Sequence, residues 1–252
     1  MPLTEKEIEI VVSRFDPERD DAPREQRYTV PFSHGTSVLE GLQHIKDRLD
    51  GSLAFRWSCR MAVCGSCGKT INGQPRLSCK TFLRDFYPGP VYVAALHHFP
   101  VIKDLVIDQS DFLDKLRASR TWLIREEERA VADGPHRQTP REHARIESTS
   151  SCINCLLCYA ACPQYGLDPG FTGPGVLALI DRYNTDSRDQ GRARRMPVIN
   201  AEEGVWGCTL VGNCSVVCPK GVDPAAAVNR NKIESTRDYF RRFLALGMGR
   251  TE

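Results

Sequence analysis

The feature that most constrains this chain is the placing of its eleven cysteines, which fall into three groups with none left over. Cys59, Cys64, Cys67 and Cys79 lie in the run RWSCRMAVCGSCGKTINGQPRLSC. Cys152, Cys155, Cys158 and Cys162 lie in SCINCLLCYAACPQ, and Cys208, Cys214 and Cys218 in WGCTLVGNCSVVCPK. A chain with thiols at these spacings folds its loops around iron–sulfur groups, and such proteins mostly move electrons.

A length of 252 residues suggests one or two domains with a buried core. The net charge of +2 gives no argument for a nucleic-acid partner. That charge is unevenly spread. Residues 1–50 carry 7 basic and 11 acidic side chains, whereas residues 216–252 carry 7 basic and 4 acidic. A basic C-terminal end suits an anionic membrane surface, and equally a solvated helix face. An odd cysteine count argues against a disulfide framework, and the start MPLTEKEIEI lacks an apolar signal core. No stretch approaches the roughly 18 apolar residues of a membrane span. The chain therefore reads as cytosolic, where clustered thiols bind metal.

The N-terminal half reads as strands with one helix. Ile8, Ile10 and Val12 alternate, as do Tyr28, Val30 and Phe32, and the turn-rich DPERDDAPRE joins them as a hairpin. Ser37 and Glu40 have capping-box spacing ahead of Val38, Leu42, Ile45 and Leu49, which recur at helical intervals. A strand at Lys69–Ile71, a turn at Asn72-Gly73 and a strand at Val91–Leu96 complete a small sheet. Residues 128–150 are polar and read as a linker, with a further helix allowed in 108–127. Beyond them come helices, at Pro174–Tyr183 and Pro224–Phe243, each opening on proline. Phe240, Phe243 and Leu244 stand at i, i+3 and i+4 near the end of the second. The expected fold class is α+β. A β-grasp, plant-type ferredoxin-like domain covers 1–107, a connecting segment and linker 108–150, and an all-helical, bacterial-ferredoxin-like domain 151–252.

Cys59-x4-Cys64-x2-Cys67 with a distant Cys79 matches the plant-type [2Fe–2S] pattern. Gly65 and Gly68 interleave the ligands and permit unusual φ values. The competing reading is a four-cysteine zinc site, although zinc ribbons favour two CxxC knuckles and this run has one. The second run, Cys152-x2-Cys155-x2-Cys158-x3-Cys162-Pro163, is the bacterial ferredoxin pattern, in which the fourth cysteine ligates the other cluster. A complete partner run would carry cysteine at position 211, and Val211 stands there. The crossed assignment makes Cys152, Cys155, Cys158 and Cys218 a four-thiolate set for [4Fe–4S]. It leaves Cys162, Cys208 and Cys214 as a three-thiolate set for [3Fe–4S], because valine has no donor atom. A [4Fe–4S] group with one water-bound iron is the alternative at the third site.

Three centres of different type make a relay, which needs a two-electron partner at one end. Neither a GxGxxG motif nor a Ser/His/Asp or paired-carboxylate arrangement is present, and 151–252 contains no histidine. The organic chemistry therefore belongs to another subunit.

The runs FRWSCRMAVCGSCG, CINCLLCYAACPQYGL, RYNTDSRDQGRARRM and GVWGCTLVGNCSVVCPKGVDPAAA, taken together, resemble the iron–sulfur subunit of the succinate dehydrogenase/fumarate reductase family across nearly the whole chain. They are most similar to bacterial quinol–fumarate reductases. The resemblance implies a peripheral subunit on the cytoplasmic face of the bacterial inner membrane. Its implied partners are a flavoprotein subunit with FAD, membrane-anchor subunits and a quinone. It implies [2Fe–2S] nearest the flavin, then [4Fe–4S], then [3Fe–4S] nearest the quinone. It also implies Thr209, Leu210, Asn229 and Lys232 as quinone-site positions. Asn229 stands where the better-known enzyme has glutamine. Many succinate–ubiquinone enzymes have a tryptophan after the second run and histidine after Cys208, where this chain has Leu167 and Thr209. Both departures favour a menaquinone-type partner. A free multi-cluster ferredoxin-type carrier is the alternative from another functional class.

Overall fold

The computed structural model describes residues 6–127 and 129–248, with side chains through residue 245. The chain divides into two compact units, residues 1–109 with 153–161, and residues 110–152 with 162–252. Ile153–Ala161, inside the bacterial-type cysteine run, thus joins the N-terminal unit rather than the helical stretch that surrounds it in sequence.

The first unit is built on a five-stranded mixed sheet. Strands β1 (Lys6–Arg14), β2 (Arg24–Phe32), β3 (Gly68–Ile71), β4 (Gln74–Leu77) and β5 (Val91–Ala94) lie in the order β2-β1-β5-β3-β4. β1 and β2 form the expected antiparallel hairpin, with Ile10 opposite Tyr28 and Ile8 opposite Val30. β5 runs parallel to β1, and β3 pairs antiparallel with both β4 and β5. A short pair, β6 (Val101–Lys103) and β7 (Val106–Ile107), follows.

Helix α1 (Val38–His44) opens on a capping box in which the Ser37 side chain and the Glu40 backbone and carboxylate satisfy each other. Val38, Leu42 and Ile45 join Ile8, Ile10, Val12, Val30 and Val91 in one core. The expected stripe fails at Leu49, which is 51% exposed. The helix widens into a π-type turn over Ile45–Leu49, and the wider turn rotates the last position off the core face. Beneath the sheet's end, Arg14 donates to Asp104, Asp50, Tyr28 and Ser52, a buried guanidinium with nearly all its donors used.

The second unit contains α2 (Ser110–Ala118), α3 (Pro140–Ser150), α5 (Pro163–Leu167), α6 (Pro174–Asn184), α7 (Arg192–Asn200), α8 (Asn213–Val216) and α9 (Pro224–Met248). Helix α4 (Leu157–Ala160) belongs to the first unit. The segment read as a linker holds a helix over its second half. Thr139 caps α3 reciprocally with Glu142, Pro140 sits at the first turn, and Ile146 and Thr149 are buried. Polar composition hid a capping box and a short apolar contact. Helix α6 is buried through Val176, Leu177, Ala178 and Ile180, and packs on α9 at Ala227, Val228 and Asn231. The Asn231 amide donates to the Leu177 carbonyl at 2.9 Å. Arg195 is fully buried, paired with Asp189, and donates to the carbonyls of Arg120 and Trp122. The run RYNTDSRDQGRARRM is therefore an ionic node that ties α6 and α7 to the preceding chain. No described helix is long and apolar enough to cross a membrane.

Candidate iron–sulfur sites

The first group of cysteines is assembled by one hairpin and one loop. Pairing of β3 with β4 sets Gly68 opposite Leu77, which returns the chain beside its own start. Ser78 then donates through both its N–H and its hydroxyl to the Cys67 carbonyl, at 3.1 and 2.9 Å. This clasp brings the Cys67 and Cys79 sulfurs to 3.3 Å. In the loop, the N–H groups of Met61 and Val63 both donate to Cys59 Sγ at 3.4 Å, and the Cys59 N–H donates to Cys64 Sγ at 3.5 Å. Left-handed residues at Arg60, Ala62 and Gly65 turn those amides inward. The amides of Met61 and Val63 pull the Cys59 thiol down to about 6, whereas burial, with Cys67 alongside, pushes Cys79 up to about 11.

All eleven cysteines are free thiols. Among the described residues no three His, Cys, Asp or Glu side chains are gathered for a single metal ion. The fit of a [2Fe–2S] group rests instead on the thiol pair and on amides aimed at sulfur.

Gly65 and Gly68 have different roles. Gly65 is left-handed at φ +75°. Gly68 is in an ordinary strand, so the expectation of unusual φ does not hold for it. What it requires is room: a Cβ there would lie 3.1 Å from the Cys155 carbonyl oxygen and 3.2 Å from Leu157. A Cβ at Gly65 would lie 2.7 Å from the Ile153 carbonyl oxygen. The segment bearing Cys155 and Cys158 is thus laid directly on the first cysteine loop, an approach that requires glycine at position 65 and leaves little room for a side chain at position 68. Cysteine spacing carries no signal of this contact.

The two remaining runs share a local backbone. In the first, Asn154 and Leu156 are left-handed at φ 53° and 65°, and α4 and then Cys162-Pro163 follow. In the other, Leu210 and Gly212 are left-handed at φ 59° and 84°, and α8 and then Cys218-Pro219 follow. Val211 occupies the position that Cys155 holds in the first run.

Within the second unit, Cys162, Cys208 and Cys214 line one open cavity of about 370 Å³ together with Thr209, Leu210 and Val211. Leu210 N–H donates to Cys208 Sγ at 3.4 Å, the same i to i+2 contact seen at Cys59. Burial pushes the Cys162 thiol up, and pushes Cys214 up to about 11. Cys152 and Cys218 pack against Ala178, Val222 and Ala227.

Of the four quinone-site positions, Thr209 and Leu210 line this cavity. Lys232 reaches back from α9 to donate to the Cys208 carbonyl at 2.7 Å, with its ammonium over the Trp206 ring. Asn229 is exposed and does not line the cavity. Trp206, about half exposed and bonded to Ser235, was not singled out from sequence. Its signal was an aromatic two residues before a ligand.

A 2Fe-2S iron-sulfur cluster binding domain family matches residues 9–114, and a 4Fe-4S dicluster domain family matches residues 148–222. A "Fumarate reductase iron-sulfur subunit" of Mycobacterium tuberculosis is 54% identical over 237 residues, covering 94% of this chain and 96% of that protein. The protein of the same description from Haemophilus influenzae is 48% identical over 242 residues, covering 92% and 94%. A chain of the Mycobacterium smegmatis Sdh1 complex superposes with a TM-score of 0.85 at 26% identity, covering 94% of this chain and 98% of that one.

Proposed function

Because this chain belongs to the iron–sulfur subunits of the fumarate reductase/succinate dehydrogenase family of oxidoreductases, we propose that it is the electron-transfer arm of a membrane-docked quinol–fumarate reductase or succinate–quinone oxidoreductase. Its fold is read as a β-grasp domain followed by an all-helical domain, with the five-stranded mixed sheet and α1 in support of the first.

Cys59, Cys64, Cys67 and Cys79 would hold [2Fe–2S]. Cys152, Cys155, Cys158 and Cys218 would hold [4Fe–4S], and Cys162, Cys208 and Cys214 would hold [3Fe–4S]. Bound there, the clusters supply one-electron carriers between FAD on a flavoprotein partner and a quinone, of the menaquinone type, at membrane-anchor subunits. The protein's part is to place thiolates and aim amides at them.

The observation that carries the three-iron reading is Val211. It sits on the same left-handed backbone that presents Cys155 in the other run, beside three thiols in one cavity. Electron paramagnetic resonance of the oxidised complex should show a three-iron signal. Val211→Cys should abolish that signal and add one iron per subunit. Absence of the signal in the native complex, with four irons at that site, would sink the assignment.

The quinone reading is supported by Lys232, whose ammonium can donate to a quinone oxygen. Exposed apolar residues in the same unit, Leu210 and Val211 by the cavity, Val216 on α8, and Tyr239, Phe240 and Phe243 on α9, suit an anchor interface. Lys232→Ala should cut quinone-linked turnover by an order of magnitude or more and spare succinate oxidation with a dye acceptor, as read in paired assays. Equal loss in both would remove the role.

A further inference from the structure

Lys69 is a charged side chain in the core of the first unit for which the relay reading has no use. It lies on β3 two residues after Cys67 and is 1% exposed. An ammonium buried this deeply is costly unless an opposite charge faces it. Among the described residues Lys69 has no ion pair with a carboxylate. Its Nζ donates to the Gly68 carbonyl at 3.1 Å and approaches the Arg56 carbonyl at 3.5 Å. It borders a small open cavity shared with Arg56, Gly65, Gly68 and Cys155. No carboxylate lines that cavity, and its charged side chains are both cationic. The nearby group that becomes anionic on binding a cluster is Cys67, two residues earlier in the chain, whose charge acts on Lys69.

We propose that Lys69 is the buried counter-charge of the [2Fe–2S] site, and that it raises the reduction potential of the two-iron centre. This rests on the [2Fe–2S] reading given above. One-electron reduction adds one negative charge to the iron of the centre and moves no bond or proton. A fixed cation in a water-poor environment favours the more negative, reduced form. Lys69 is thus a tuning residue that acts on the centre through space.

The test is a redox titration of the purified, intact complex, followed by electron paramagnetic resonance with dithionite as reductant. If the native complex shows no two-iron signal, the reading of the loop fails, whatever Lys69 does. With the signal present, Lys69→Met should lower the midpoint potential of the two-iron centre. Lys69→Arg, which keeps the charge, should stay near the native value. The centre at Cys162, Cys208 and Cys214 should be unmoved in both. A fully loaded Lys69→Met complex with native potential overturns the proposal, as does an equal shift in Lys69→Arg. If Lys69→Met loses the cluster and Lys69→Arg retains it, the charge requirement stands. Loss in both variants overturns it, since the side chain then serves packing alone.

Discussion

The run around Cys155 and the run around Val211 follow the same path with different side chains. Both turn left-handed twice, at Asn154 and Leu156 in one and at Leu210 and Gly212 in the other. Both then enter a four-residue helix and reach a Cys-Pro step. At the middle position one presents a thiol and the other an isopropyl group that is 57% exposed. The left-handed residue after it is a buried leucine in the first run, and in the other a glycine whose Cβ would meet nothing within 4 Å. The comparison teaches that the path of the chain and the thiols it presents are separate properties. Backbone conformation repeats without the cysteine, so a single side chain decides whether that position offers a thiol.

The largest break in this comparison is Cys155→Val, which makes the first run resemble the second. It should eliminate the four-iron signal and lower iron content by at least one per subunit, as measured by metal analysis and paramagnetic resonance. Next is Leu156→Ala. The side chain is 2% exposed, so its loss should destabilise the first unit by about 2–5 kcal/mol in denaturant unfolding. A smaller effect is expected from Gly212→Ala, where there is space and only the left-handed φ of 84° opposes a side chain. Its cost should be about 1–2 kcal/mol. A Leu156→Ala cost no larger than that of Gly212→Ala would mean that burial does not distinguish the two turns.

In the first unit Ser52 and Tyr28, with Arg14, hold Asp50 below the ordinary carboxylate value. In the second, burial pushes Asp186 and Asp189 up, but the guanidiniums of Arg188 and Arg182, and of Arg195, prevail and hold both down. A depressed carboxylate stabilises the fold fully above its unfolded pKa, here 3.8, and loses that contribution as pH falls towards the folded value. Thermal unfolding temperatures should therefore be flat well above pH 5 on this account and fall as pH drops through 4. Asp186→Asn should weaken that fall.

The family and the order of its two iron–sulfur domains were legible because cysteine spacing is local chemistry. The hairpin Ile8–Val12 with Tyr28–Phe32 and the capping box at Ser37 were readable for the same reason, since alternation and capping depend on neighbours in sequence. The failures have identifiable causes. Leu49 kept helical spacing, but the turn widened beneath it. Residues 140–150 looked like linker because a helix with few buried side chains has a polar composition. Gly68 is expected to need an unusual φ, although its constraint comes from Cys155 and Leu157, distant in sequence. The burial of Lys69 has no signal in the strand that carries it.

By itself, the sequence determined the cysteine groupings, the valine that stands at position 211 where a complete run has cysteine, and the family, because each follows from residue identity at a fixed spacing. Only the tertiary structure decided that Ile153–Ala161 packs on the first cysteine loop, that Lys232 reaches the carbonyl of Cys208, and that Lys69 is buried with its ammonium near the carbonyl of Arg56. Those three facts join residues far apart in the chain. Packing and desolvation select such contacts, and no local pattern encodes them.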